Sequence, residues 1–363
     1  MKFRCERDVL VDALGIAGRA VSGRGGLPGL SGVRADLEGD KLRLTGSDLD
    51  LTITVSVTVS GESDGVAVIP ARLASDIVRA LEPGAVSVSA ENDELRIAAG
   101  RSDFSIRLIA GDDFPQISML SSDPVSLDSA VLAEALNQVV RAASSDDSRP
   151  ILTGVLLAAE ADGLRLVATD SYRLAMRDVS GASVLAEGQN VLIPSKALNE
   201  LNRVLGHGDQ VQLRLGDREA SFEVGPITLI TRLIEGEFPN YRGLIPDSHP
   251  NVLTLERDSL LDALRRVKLL AREATPVRLE LSDAGLELVA VTQDVGTARE
   301  QIEGDYAGSP LTVAFNAQYL IEGVEVAAAE RITLSTIDEL KPALVRIEGN
   351  EDFLYLLMPV RVS

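Results

Sequence analysis

KLRLTGSD at residues 41–48, GLRLVATD at 163–170 and GLELVAVT at 285–292 are one phrase written three times, with Leu42, Leu164 and Leu286 each 122 residues apart. The alternation of apolar and polar positions predicts a strand. A helical phrase precedes each copy: DVLVDAL at 8–14, AVLAEAL at 130–136 and DSLLDAL at 258–264. Periods of about 20–50 residues indicate solenoids or propellers. A period of 122 residues is a whole domain. The 363-residue chain therefore reads as one fold used three times, with domains at 1–121, 125–246 and 250–363. Its function must come from how the copies are arranged, because no single copy carries obvious chemistry.

Each copy keeps the same internal order. An opening strand (1–6, 125–127, 252–255) leads into an amphipathic helix, whose apolar positions in the first copy are Val9, Leu10, Ala13, Leu14 and Ala17. Alternating strands follow at 41–45 and 51–59, matched at 164–169 and 174–179. A second helix starts after the Ile-Pro pairs at 69–70 and 193–194, and after Asn316, a favoured N-cap, in the third copy. Strands at 86–90, 94–98 and 104–109 close the first unit, with counterparts at 211–215, 220–224 and 227–234. Ser, Asp and Pro gather at the junctions 120–124 and 245–251. The expected class is α+β, each unit laying two helices on antiparallel sheets.

Composition narrows the function. Hydrophobic residues make up 45%, aromatics only 3%, and Trp is absent, so the cores must be aliphatic. The single cysteine, Cys5, excludes an internal disulfide and reads as a small core residue. No cationic apolar leader and no run of about 18 apolar residues stands in the chain, which predicts a soluble, cytoplasmic protein without a membrane partner. A net charge of −20 argues against an ordinary basic nucleic-acid surface. Distribution qualifies that sum. The six helical segments (7–24, 71–81, 128–149, 195–207, 257–272, 316–329) hold 14 basic against 12 acidic residues, so the acidic excess lies outside them. Acidic residues favouring loops and strand faces would produce this pattern. So would helices that face a polyanion while the sheets repel it.

Catalytic motifs are scarce. His207 and His249 are the only histidines, and neither has a matching nucleophile. SGRGGLPGLSG at 22–32 lacks the Gly-Lys-[Ser/Thr] ending of a phosphate loop and reads as a flexible loop after the first helix. Asp48 and Asp170 occupy equivalent places in their repeats, which points to capping of turns rather than to a carboxylate pair. Acidic residues are plentiful but unclustered. No catalytic residue, metal or cofactor is expected.

Arg24 followed by LPGL at 27–30, PAR at 70–72, LTG at 152–154, VATDSYRLA at 167–175, FPNYR at 238–242 and LLMPVR at 356–361 form a set that runs the length of the chain. Together with the triplication, this set resembles the bacterial DNA polymerase III beta subunit, the sliding clamp family. The resemblance implies a clamp fold: two three-domain chains closed head-to-tail into a ring, helices lining the hole and a continuous sheet outside. It implies a non-catalytic homodimer that encircles duplex DNA without reading sequence and confers processivity. Expected partners are the DNA polymerase III alpha subunit, the clamp loader, and other polymerases and repair proteins that dock short linear peptides.

By that resemblance, Arg24, Arg72, Arg149, Pro150, Ile151 and Lys196 would contact DNA, Lys196 being the second-repeat equivalent of Arg72. Better-known relatives carry tyrosines where Pro150 and Ile151 stand. The peptide pocket would use Leu152, Thr169, Ser171, Tyr172, Arg173, Leu174, Pro239, Gly243, Leu244, Leu344, Leu356, Leu357, Met358, Pro359, Val360 and Arg361. Gly243 stands where some relatives have arginine. For ring closure, Phe104 would pack near the partner's Leu269 and Leu270, with Arg101 and Arg107 facing Glu300 and Glu303. Two other readings compete. A hydrolytic or carbohydrate-handling enzyme would need a cleft with converging carboxylates or a histidine beside a matching nucleophile, and the sequence supplies neither. A specialised second clamp with a drifted pocket is compatible with Gly243, Pro150 and Ile151.

Overall fold

The computed structural model describes residues 1–363 apart from 23–26, 118–119, 183, 247, 272–274 and 362–363. Six α-helices stand among the described residues: α1 Arg7–Ala17, α2 Ala71–Ala80, α3 Ser129–Val139, α4 Ser195–Val204, α5 Arg257–Val267 and α6 Ala317–Val326. They alternate 11 and 10 residues in length, one pair per repeat. α6 is capped as Asn316 suggests, its side chain accepting from the backbone N–H groups of Gln318 and Tyr319. The first, third and fifth helices are much shorter than expected. α1 gives way at Gly18 to a 3-10 turn, and α3 does so at Val140. Beyond α3, Asp146 accepts from the backbone N–H and the hydroxyl of Ser148, local bonds that compete with helix continuation. Within the observed bounds the helices hold 8 basic and 9 acidic residues, so the helical surface is near neutral rather than slightly basic.

The fold divides into two compact units. Unit 1 comprises Met1–Ala130 and Asn199–Leu233, unit 2 Val131–Leu198 and Ile234–Ser363. The cut passes through the second repeat, because sheets run on from one repeat into the next. In unit 1 an eight-stranded sheet joins Ile227–Arg232 to Leu51–Thr58, the last strand of repeat two to the fourth strand of repeat one. In unit 2 a nine-stranded sheet joins Asn350–Leu357 to Arg173–Ser180, which is the same seam one repeat later. Unit 1 also holds a five-stranded sheet ending at Ser102–Arg107, and unit 2 a four-stranded sheet ending at Gly296–Ile302. All these ladders are antiparallel.

Helices cover one face of each sheet. Leu10, Ala13, Leu14 and Ala17 of α1 are buried over the strands that supply Leu42, Leu44, Ile53 and Val55. Val9, expected in this stripe, is instead 40% exposed. Each buried aliphatic side chain contributes roughly 1.5–3 kcal/mol. Cys5 is only partly buried, and burial pushes its thiol up to about 11. No helix of the described residues is long and apolar enough to cross a membrane.

Candidate functional site

The two phrases ending in Asp48 and Asp170 build the same turn. The Asp48 carboxylate accepts from the N–H groups of Asp50 and Leu51, and that of Asp170 from Tyr172 and Arg173. Between them Leu49 and Ser171 take the left-handed conformation, with φ of 77° and 81°. In the third repeat the strand hairpin is one residue longer and Asp294 takes the positive φ instead. These aspartates therefore cap turns, as their repetition suggested.

In unit 2 the second of these turns forms the rim of an apolar surface. Beneath it Leu156, Leu174, Met176, Leu192, Tyr241, Leu344 and Leu356 are buried together, with Ile151, Phe238 and Ile245 packed partly against them. Above stand Tyr172, 60% exposed, Met358, 39% exposed, and the exposed Leu244 and Val360. Two backbone bonds hold the terminal segment here: Met358 N–H donates to Tyr172 (2.9 Å) and Val360 N–H to Ala314 (2.7 Å). Pro239, Gly243 and Arg361 are exposed at the periphery, and Leu152 and Pro359 are half-buried. A side chain at Gly243 would meet nothing within 4 Å, so the missing arginine leaves open space.

Several expected pocket residues are placed differently. Leu357 is fully buried in the sheet. Thr169 is buried, its hydroxyl donating to the Arg173 carbonyl (2.7 Å) and accepting from Ser171 N–H (3.2 Å), so it closes the turn. The Arg173 guanidinium is buried beneath the surface, not on it. It bonds Asp170 (3.0 Å), the Arg141 carbonyl (2.6 Å), Tyr355 Oη (3.2 Å) and Glu322, and lies 4.3 Å from the centre of the Tyr319 ring. Burial alone would depress this guanidinium, and Tyr355 and Glu322 more than offset it, so it stays charged. Burial raises the Tyr355 hydroxyl, keeping it a neutral donor, and it donates to the Tyr319 carbonyl. Tyr355 fits because Gly323 is bare: a Cβ there would stand 2.4 Å from the ring. Tyr319 itself stacks on Tyr172 at 6.5 Å and was not anticipated. A compositional signal existed, since four of the five tyrosines, Tyr172, Tyr241, Tyr319 and Tyr355, gather at this site.

The expected DNA-contacting residues stand on separate elements of the two units. Arg72 and Lys196 occupy the first turns of α2 and α4, both exposed. Arg149 is held by Asp146 (2.9 Å) and reaches Ser171 (3.3 Å), which ties its loop to the apolar surface. Pro150 opens a 3-10 turn, and the half-buried Ile151 packs partly against the buried cluster. Arg24 lies outside the described residues.

Of the expected dimer contacts, Phe104 is 40% exposed on the edge strand Ser102–Arg107, flanked by exposed Arg101 and Arg107. Leu269 is 84% exposed after α5, and Leu270 lies beside Gly296 at the head of another edge strand, Gly296–Ile302. Glu300 on that edge pairs with Arg266 of α5 (2.8 Å), which holds its carboxyl below the usual range. Exposed Glu303 lines the same polar cleft of about 620 Å³.

Comparison with known proteins agrees with this layout along the whole length. Residues 1–118, 126–240 and 242–361 match the N-terminal, central and C-terminal domains of the DNA polymerase III beta subunit. The beta sliding clamp of Streptomyces coelicolor is 33% identical, with 100% of both chains covered. The solved DNA polymerase sliding clamp of Bacillus subtilis superposes with a TM-score of 0.93 at 28% identity over 100% of both chains. A Pseudomonas aeruginosa sliding clamp solved bound to griselimycin superposes at 0.92 with 30% identity, again over 100% of both chains. The chain belongs to the DNA polymerase III beta subunit family, the bacterial sliding clamps. It is a non-catalytic processivity clamp of replication, whose partners are DNA and polymerase.

Proposed function

We propose that the chain works as a head-to-tail homodimeric ring of six domains, 1–121, 125–246 and 250–363 in each copy, threaded by duplex DNA. The strand seams support this most directly. Twice within the chain, the last strand of one repeat pairs with the fourth strand of the repeat before. That rule leaves over the last strand of repeat one, Ser102–Arg107, and the fourth strand of repeat three, Gly296–Ile302, and both are sheet edges. Phe104 stands four residues after Gly100, as Leu229 stands after Gly225, the two glycines sharing a positive φ near 55°. Leu229, inside a seam, is 1% exposed; Phe104, at the open edge, is 40% exposed. Pairing the free edges between two copies closes the ring by heterologous contacts. Leu269 and Leu270 would then cover Phe104, and Glu300 and Glu303 would face Arg101 and Arg107.

Near-neutral helices suit a lining over which DNA slides, with Arg72, Lys196, Arg149 and Arg24 as phosphate contacts that position without specifying. The apolar surface around Tyr172, Leu244 and Met358 takes short linear peptides from the DNA polymerase III alpha subunit, the clamp loader, and other polymerases and repair proteins. Griselimycin, bound by the Pseudomonas clamp, is a candidate ligand of this chain too. Cytoplasmic action on the chromosome follows from this reading.

The reading is tested by light scattering on the free protein together with binding to immobilised alpha subunit. A mass of about 77 kDa, twice 38.6 kDa, and retention that is lost in Met358→Asp are expected. A monomer, or undiminished retention of the variant, would contradict it.

A further inference from the structure

The eight-stranded sheet of unit 1 has a second face. Val33, Ala35, Leu42, Leu44, Ile53 and Val55 are buried on the helix side. The residues between them fall on the opposite side. There the registers set Arg34, Thr45, Thr54 and Thr228 in one row across four strands, and Asp36, Arg43 and Ser56 in the next. Pro115 and Ile117 border the same space, a trough of about 570 Å³. That volume lies within the range of sites that hold small ligands or a few peptide side chains.

Its charge departs from the surrounding surface. Arg34 and Arg43 share a single carboxylate, Asp36, at 3.7 and 3.6 Å, too far for good hydrogen bonds. Their donors are thus only loosely engaged, and two cations answer to one anion. Lys41 stands at the end of the trough, with Glu38 opposite it in the ladder. The floor is hydroxyl, Thr45 and Thr54 lying 3.1 Å apart, and the exposed Ile117 supplies an apolar border. Guanidinium forks beside hydroxyl donors recognise carboxylates in a fixed geometry. On a chain of net charge −20, a cationic trough on the strand side is a local exception.

We propose that this trough binds a short acidic peptide segment, its carboxylates on Arg34 and Arg43 and an aliphatic side chain against Ile117. A nucleic-acid strand fits less well: beyond the trough it would run over an acidic exterior that repels a long polyanion. The site is separate from the apolar surface around Met358 and is independent of ring closure.

The probe is a fluorescein-labelled Asp-Asp-Ile-Asp-Asp peptide, titrated with the full-length protein by anisotropy at about 50 mM salt, where screening is weak. The uncharged Asn-Asn-Ile-Asn-Asn peptide and an oligothymidine strand serve as controls. Saturable binding of the acidic peptide is expected, weakened by at least about tenfold in Arg34→Gln/Arg43→Gln and unchanged in Met358→Asp. Lys41→Glu, at an exposed position outside the hydroxyl floor, gives a loss in the same direction and stands in should the double variant melt early. Equal binding of the uncharged peptide, binding indifferent to these variants, or tighter binding of the oligothymidine overturns the proposal.

Discussion

Arg173 and Tyr355 hold the turn at 170–173 from below, and their partners come from distant parts of the chain. Breaking a buried ion pair strands the remaining charge, at a cost of about 3–5 kcal/mol. Arg173→Ala should therefore lower stability by that order in urea unfolding at neutral pH; a change under about 1 kcal/mol would contradict the network's role. Cys5 gives a pH dependence. Its thiol rises from an ordinary 9.0 to about 11 in the fold, so the unfolded chain ionises first as pH increases. The Cys5 contribution is intact below pH 9 and is lost as pH climbs toward 11. Between pH 8.5 and 10.5, on either side of the ordinary value of 9.0, Cys5→Ala should lose less stability than the parent; parallel losses would refute the assignment. At this scale the sequence was legible only locally. VATDSYRLA reveals the Asp170 turn, but nothing in it shows that Glu322, 149 residues further on, reaches Arg173. The outward or inward direction of Thr169 and Arg173 was hidden for the same reason.

At the scale of elements, periodicity located every helix and many strands of the first two repeats, but Gly32–Glu38, Gly154–Glu160 and most strands of the third repeat were not read. The ends of helices were less legible. Segments 18–20 and 140–142 keep apolar spacing yet turn as 3-10, and Asp146 diverts the chain with its own side chain. Strands at Gly65–Pro70 and Asn190–Pro194 were masked by their Ile-Pro endings, which read as helix starts although both prolines close a strand. The seams between repeats could not be read from pattern, since pairing partners lie far apart in sequence. Two predictions belong here. Phe104→Arg places a charge on the open edge Ser102–Arg107 and should yield a monomer by sedimentation that keeps its secondary structure by circular dichroism, because Phe104 is 40% exposed in its own chain. A persistent dimer would reject that edge as the seam. Removing residues 358–363 should abolish binding of the alpha subunit and leave the dimer intact, because the nine-stranded sheet ends its last ladder at Leu357. Retained binding would move the peptide site elsewhere.

For the whole molecule, charge and topology carry the account. With 8 basic and 9 acidic residues on the helices, the acidic excess sits on strands and loops. Free DNA should therefore bind the unloaded protein weakly, and what binding there is should fall steeply with salt. Once DNA is encircled, retention rests on closure instead of phosphate contacts and should tolerate salt. The triplication was fully legible from the 122-residue spacing; the strands proposed to join two copies, Ser102–Arg107 and Gly296–Ile302, were identified as sheet edges only by the pairing of the strands. The decisive measurement is retention of loaded protein on circular plasmid before and after a single cut, at high salt. The account predicts that the protein stays on intact circles and is lost from the linearised DNA through its ends. Equal retention on both, or equal loss from both, would contradict topological clamping.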